Sequence, residues 1–367
     1  MPVALTPSPL QAKSISRPEL SVEVKTIDPL TSSSEWDKLV STHPDATIFH
    51  SAAWAKVLNR TYGHQPFYLH ISNAAGLAGL IPLMEIRSAI TGRRGICLPF
   101  SDACPPLVFN VNGSDVAHEE IMRVARERKW KYFELRGGDE MMPTSAFPAE
   151  TFYGHSLSLA PPLEDLWHRF SSSVRRGIRK AVKSGLKIQI TADRDSILQF
   201  FKLHAKTRRR HGLPPQPLAF FLSIYEEMIK AGHGFVVLAR KESRVVSAAV
   251  FFKLGRNALY KFGASDHAFQ DLRGNNLTMW EGIKCLAQGG CHRLHLGRTS
   301  VDNDGLRHFK MGWGTTEEKL NYFIYDLATG GWRKESRGGL RFQHKIFGNL
   351  PLSVNRLAGA LVYPHLD

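Results

Sequence analysis

Long apolar runs are missing from this chain of 367 residues; none reaches the roughly 18 residues that a membrane-crossing helix needs. The first 20 residues also lack the compact apolar block of a secretory leader, and their Pro and Ser read as a disordered lead-in. Cysteine is scarce. Cys97, Cys104, Cys285 and Cys291 have neither the density of a disulfide framework nor the spacing of a zinc site, which leaves reduced, mostly buried thiols. The 16 histidines form no ligand spacing, so no metal is expected. These absences favour a cytoplasmic protein and leave only peripheral contact with a membrane open.

Acidic residues are also in deficit. The 33 Asp and Glu stand against 48 Lys and Arg, a net charge of +15, which favours an anionic partner such as RNA, a phosphorylated substrate or lipid headgroups. The excess is local: from His168 to His211, 13 Lys or Arg face only Asp193 and Asp195. What remains is a hydrophobic share of 43%, enough for a large core and, at this length, for two domains.

Two long halves follow one plan at an offset of roughly 160 residues. In the first, strands are expected over Phe67–Ile71 and Leu77–Ile86, with a third closing on Pro99-Phe100-Ser101-Asp102. In the second they are expected over Phe235–Arg240 and Val245–Leu254, with a third closing on Gly263-Ala264-Ser265-Asp266. Each meander leads into a helix, one ending at Lys129-Trp130 and the other running from Leu277 to Ala287. A strand then runs into Arg136-Gly137 or Gly297-Arg298.

Meander, helix, strand, helix, strand is the order of the GNAT acyltransferase fold, and over residues 45–360 the chain resembles the FemAB family, whose members carry two such domains in tandem. The segments that carry the resemblance are Phe49–Trp54, the basic helix Val174–Ala181, and Gly305–Gly314 (GLRHFKMGWG). The expected fold is therefore α/β (α+β): two tandem GNAT-like domains, each a mixed, mostly antiparallel sheet with helices on both faces. The expected boundaries are 1–20 for the lead-in, 21–160 and 161–330 for the domains, and 331–367 for a C-terminal segment packing back on the first domain.

Four segments carry candidate chemistry. A single helix is expected over Leu166–Ser184, stopped by Gly185, with Leu166, Phe170, Val174, Ile178 and Val182 as its buried stripe. Beside the stripe, Arg175, Arg176, Arg179 and Lys180 form rows of cations that suit a pyrophosphate or an RNA backbone, or simply a solvated face. The helix from Asp195 stops near Gly212, with Arg210 and His211 at its end, where cations also favour the helix dipole. Three prolines then fix an extended loop.

The third segment, Asp266–Asn276, opens a helix. Acyl-CoA enzymes of the GNAT fold hold a pyrophosphate there on the loop R/Q-x-x-G-x-G/A. This chain offers Arg273-Gly274-Asn275-Asn276 without the second glycine, so either a phosphate contact or a cap by Asn275 or Asn276 remains open. FemAB enzymes take their donor from aminoacyl-tRNA and likewise lack a good CoA loop. In the fourth segment, the resemblance implies that Phe309 and Lys310 line the channel where donor and acceptor meet. There Lys310 would stabilise an oxyanion or neutralise a donor charge, and Arg307 would add an anion contact. Asp266 and His308 are the candidates for taking the amine's proton. Asp102, at the matching place in the first half, would touch substrate if that half is the acceptor-binding copy, or simply stand at a strand end with Pro99-Phe100-Ser101.

The resulting expectation is a cytoplasmic acyl- or aminoacyltransferase acting on an amine of a cell-envelope or polysaccharide precursor. It would hold no bound cofactor, and its donor would be aminoacyl-tRNA or acyl-CoA. Its partners would be a small-molecule or lipid-linked acceptor and tRNA, with peripheral membrane contact. The alternatives are an acyl-CoA-dependent GNAT enzyme working on an amino sugar, and a non-catalytic anion- or RNA-binding protein. A basic amphipathic tail around Phe342, Ile346 and Phe347 would lie on a membrane or, in the preferred reading, pack back on the body.

Overall fold

The computed structural model describes residues 22–74, 76–109, 114–334 and 344–366. The readings of residues 1–20 and of Phe342 lie outside it. The first half runs β1 (Glu23–Ile27), α1 (Ser33–Val40), α2 (Ala52–Tyr62), β2 (Gln65–Pro66), β3 (Tyr68–Asn73), β4 (Gly76–Ile81), β5 (Met84–Ser88), β6 (Gly92–Ile96), β7 (Leu107–Val108), α3 (Ser114–Glu127), β8 (Tyr132–Arg136) and β9 (Glu150–Ser158). The second half opens with α4 (Leu163–Arg169), α5 (Ser172–Lys183), β10 (Lys187–Thr191), α6 (Arg194–Arg210), α7 (Leu218–Ile224), β11 (Gly234–Lys241) and β12 (Arg244–Leu254). It continues with β13 (Asn257–Ser265), α8 (Gly274–Gln288), β14 (Arg293–Ser300), α9 (Asp304–Met311), β15 (Thr316–Asp326) and β16 (Gly331–Trp332), and ends with α10 (His344–Asn349) and α11 (Leu352–Val362).

The duplication is visible in the strand pairing. β6 and β8 are parallel across α3, as β13 and β14 are across α8. Each half then gives its last strand to the other. β9 pairs antiparallel with β14, β15 pairs antiparallel with β8, and the two exchanged strands pair with each other. One sheet therefore runs through both halves in the order β10-β11-β12-β13-β14-β9-β15-β8-β6-β5-β2, with β16 on β15, while β1-β3-β4-β7 form a separate sheet.

Three local expectations change. The strand expected over Leu77–Ile86 is two strands in different sheets, because Pro82 has no N–H for the ladder and breaks it. The third strand of the first half ends at Ile96 rather than at Asp102; Leu98 (φ 44°) and Phe100 (φ 59°) take left-handed backbone instead. The basic helix expected over Leu166–Ser184 is broken at Phe170, and the Ser171 hydroxyl caps α5 by accepting the Val174 N–H. The break turns the stripe by part of a turn, so Ala181 is buried and Val182 is 60% exposed.

One apolar core spans the two halves, and a second lies in the second half around Phe170, Phe251 and Trp313. Trp54 on α2 is fully buried, edge-on to Phe49 and to Phe220 of α7, and tilted against Phe252 of β12. Cys97, Cys104 and Cys291 are buried, Cys285 is half-buried, and all four are free thiols. No helix among the described residues is long and apolar enough to cross a membrane.

Candidate active site

β13 and β14 are joined as parallel neighbours only at Asn257–Leu259 and Arg293–His295, after which they separate. The cause lies in β14, whose pairing with β9 shifts register between His295 and Arg298 while Gly297 sits at φ 73°. The Gly297 N–H donates to His295 Nδ1 at 3.0 Å, which fixes that ring as the tautomer carrying its proton on Nε2.

The first-half loop 98–102 enters this wedge. Its two left-handed non-glycine residues cost about 1–3 kcal/mol each, and they deliver Asp102 to the second half. Lys261 Nζ on β13 donates to Asp102 Oδ2 at 3.0 Å and to the Phe100 carbonyl at 2.7 Å, and the Tyr322 hydroxyl donates to the Asp102 carbonyl at 2.6 Å. Burial by itself would raise the Asp102 carboxyl. The charges of Lys261, His295 and Arg298 outweigh it and hold the group at about 2. Arg298 lies over Phe152 at 4.3 Å, and Arg136 donates to Glu134 at 2.7 Å and to the Ser101 carbonyl at 3.0 Å.

Lys310 completes the wedge. α9 is capped by Asn303, whose side chain accepts the Leu306 N–H, and it points Lys310 inward to 4% exposure. Nζ donates to the Gly297 carbonyl at 2.8 Å and to the Arg298 carbonyl at 2.9 Å. Burial lowers this ammonium to about 8, with Lys261 and Arg298 pushing the same way and Asp102 opposing. Burial also holds His155 and His295 at about 4, so both rings are neutral near pH 7. Both nitrogens of His155, Nε2 of His295 and Oγ1 of Thr299 are buried without a hydrogen-bond partner. Each such group costs about 1–3 kcal/mol unless a water or a substrate supplies the bond.

Phe309 takes the outer side of α9. It meets Trp313 edge-on at 6.2 Å and lines a cavity of about 160 Å³ with Arg273, Gly274, Asn275 and Ser247. α8 begins at Gly274 rather than near Leu277, and neither Asn275 nor Asn276 caps it; the preceding Arg273 is left-handed at φ 58°. The Ser247 hydroxyl donates to Asn275 Oδ1 at 2.7 Å. Across the junction of the halves lies a larger cavity of about 500 Å³, lined by Ile48, Phe49, Pro105, Leu259 and His295.

The structure thus groups Phe309, Arg273, Gly274 and Asn275 around one cavity, turns Lys310 into the β13–β14 wedge instead, and places the other candidates elsewhere. Asp266 accepts the Ala268 N–H, pairs with Arg244 at 2.7 Å and lies 3.9 Å from Lys206. His308 is exposed. Arg307 is engaged in two 2.7 Å bonds to Glu317 and lies 4.2 Å over Tyr153. Arg176, Arg179 and Lys180 are exposed on α5 and Arg175 is half-buried. α5 itself crosses α8 at Gly177, where a Cβ would come 2.8 Å from Asn276. Arg210 lies 3.5 Å from the His211 ring at the end of α6; burial, Arg210 and Arg208 lower that ring. Lys261, His155, His295 and Arg298 escaped the sequence reading. Position 102, matched to position 266 by the repeat, was the one signal that led toward them.

Residues 168–320 match the acetyltransferase (GNAT) domain family. Among solved structures, FemX superposes with a TM-score of 0.67 at 16% identity, covering 84% of this chain and 98% of that one. The C-terminal domain of a putative lysylphosphatidylglycerol synthetase from Agrobacterium fabrum gives 0.53 at 10% identity, over 82% of this chain and 93% of that domain. A tandem GNAT protein from the clavulanic acid biosynthesis pathway gives 0.51 at 11%, over 83% and 98%. No curated protein matches the sequence. The chain has the FemAB-like tandem GNAT fold expected from its sequence, and its second half carries an N-acyltransferase-type domain.

Proposed function

We propose that the chain is a cytoplasmic N-acyltransferase of FemAB type, moving an aminoacyl or acyl group onto an amine of a cell-envelope or polysaccharide precursor. The observation that carries this reading is the buried Lys310 ammonium held in the β13–β14 wedge by two backbone carbonyls, while its chain neighbour Phe309 lines the cavity where α8 begins. The charged groups acting on Lys310 are Lys261 and Arg298 against Asp102. A net cationic, buried wedge favours an intermediate that is more negative than its ground state.

In the reaction the amine nitrogen attacks the donor carbonyl carbon. A C–N bond forms, negative charge develops on the carbonyl oxygen, and the bond to the ester oxygen or thioester sulfur breaks. Lys310 is already fixed by two carbonyls, so it meets the oxyanion with little reorganisation, an effect worth about 3–4 kcal/mol. His155 and His295, at about 4, are too weak as bases near neutral pH, and Asp266 is tied to Arg244. The amine's proton therefore passes to the leaving atom directly or through water.

An aminoacyl ester of tRNA is the preferred donor, because Arg273–Asn276 holds a single glycine and the exposed cations of α5 suit an RNA backbone. A second reading, acyl-CoA with an amino-sugar acceptor, is favoured by the cavity at the first turn of α8 and by the acetyltransferase domain match. Transfer from charged tRNA and from acetyl-CoA to a panel of amines, measured in parallel at physiological salt, decides between them.

A further inference from the structure

α11 presents an apolar face to solvent. Its inner positions are fixed: Asn355 is fully buried and donates to the Phe347 carbonyl at 2.7 Å, and Gly359 is buried against the Pro215 carbonyl. On the outer side Val354, Leu357 and Leu361 are 45, 61 and 65% exposed, and their spacing of three and four places them on one face of the helix. The patch continues inward as a groove of about 360 Å³ between Leu357 and Ala360 on α11, Phe201 on α6 and Leu218 on α7. Exposed apolar side chains on one helix face that continue into a groove, rather than lying scattered, mark an interaction site.

The surrounding charge identifies the partner. Residues 196–225, which supply most of α6 and all of α7, and residues 344–366, which supply α10 and α11, contain seven Lys or Arg and no Asp or Glu. Arg356 lies 4.8 Å over the Phe201 ring at the edge of the groove, and Lys202 and Arg210 are exposed on α6. A second copy of this chain would oppose one basic rim with another, which like charges disfavour. An acidic lipid surface takes the leucines among its acyl chains and the cations at its headgroups.

We propose that α11 and the basic end of α6 dock the protein peripherally on an anionic membrane, with Val354, Leu357 and Leu361 entering the interface. The inference stands apart from the reaction proposed above and concerns a different face of the molecule.

The test is sedimentation of the full-length protein with vesicles of phosphatidylcholine alone or with phosphatidylglycerol added, at physiological salt. Binding is expected only with the anionic lipid and should weaken as salt rises. The double variant Leu357→Asp/Leu361→Asp, with circular dichroism and melting unchanged, should partition at least about tenfold less. The single variant Leu361→Asp should fall between. Equal partition of wild type and double variant would overturn the proposal, as would failure of the wild type to bind any vesicle. A concentration-dependent dimer that the double variant dissolves would also overturn it, by assigning the face to a second copy.

Discussion

Asp102 and Lys261, 159 residues apart in the chain, form a 3.0 Å ion pair that closes the wedge between the two halves. Each partner lies on a different copy of the repeat, so the pair exists only when both halves are folded and docked. Asp102→Asn should destabilise the protein by about 3–5 kcal/mol, because it leaves the Lys261 ammonium buried without its counter-charge. Adding Lys261→Met should recover most of that loss in urea unfolding. A single variant no less stable than wild type would show that the pair does not hold the wedge.

The same carboxylate sets an acid limit. Its folded value of about 2 lies below the roughly 3.9 of an unfolded aspartate, so the stabilisation is complete above about pH 4–5 and is lost as pH falls toward 2. The difference amounts to about 2–3 kcal/mol, measured as the stability of wild type relative to Asp102→Asn across that window.

Lys310 behaves in the opposite sense. Its folded value of about 8 lies below the unfolded value near 10.4, so the folded state releases the proton first. Stability should therefore rise between about pH 8 and 10 by up to about 3 kcal/mol in wild type, and Lys310→Met should lack the rise. Parallel pH profiles of chemical denaturation for the two proteins check this.

Gly177 tests the seat of the basic helix. Gly177→Ala places a methyl group 2.8 Å from the Asn276 side chain and should cost about 1–3 kcal/mol. Asn276→Ala in the same protein should relieve much of that cost. Melting temperatures of the two single variants and the double variant give the coupling.

Much of this was legible in the sequence because it is local or periodic. The duplicated element order, the Gly185 stop at φ 71° and the end of α6 at Gly212 follow from turn chemistry and spacing. The break at Ser171 was written as a serine before a helical run, yet the period-four stripe masked it and drew Val182 into the core. The exchange of β9 and β15 has no local signature, since a strand's pattern states which face is buried but not which neighbour it joins. Lys261, His155 and His295 sit on interior strands and matter only because the register shift at Gly297 opens the sheet beside them, and no spacing within one segment encodes that meeting.

Single-turnover transfer by wild type and Lys310→Ala, with charged tRNA and acetyl-CoA tried as donors in turn, is the most direct measurement. A buried ammonium acting on the oxyanion predicts a rate loss of about 10²–10³ with one of the donors, at nearly unchanged donor affinity. The wild-type rate should fall above about pH 8 as the ammonium is lost. Transfer by the alanine variant at the wild-type rate, or no transfer from either donor by wild type, would contradict the central role given to Lys310.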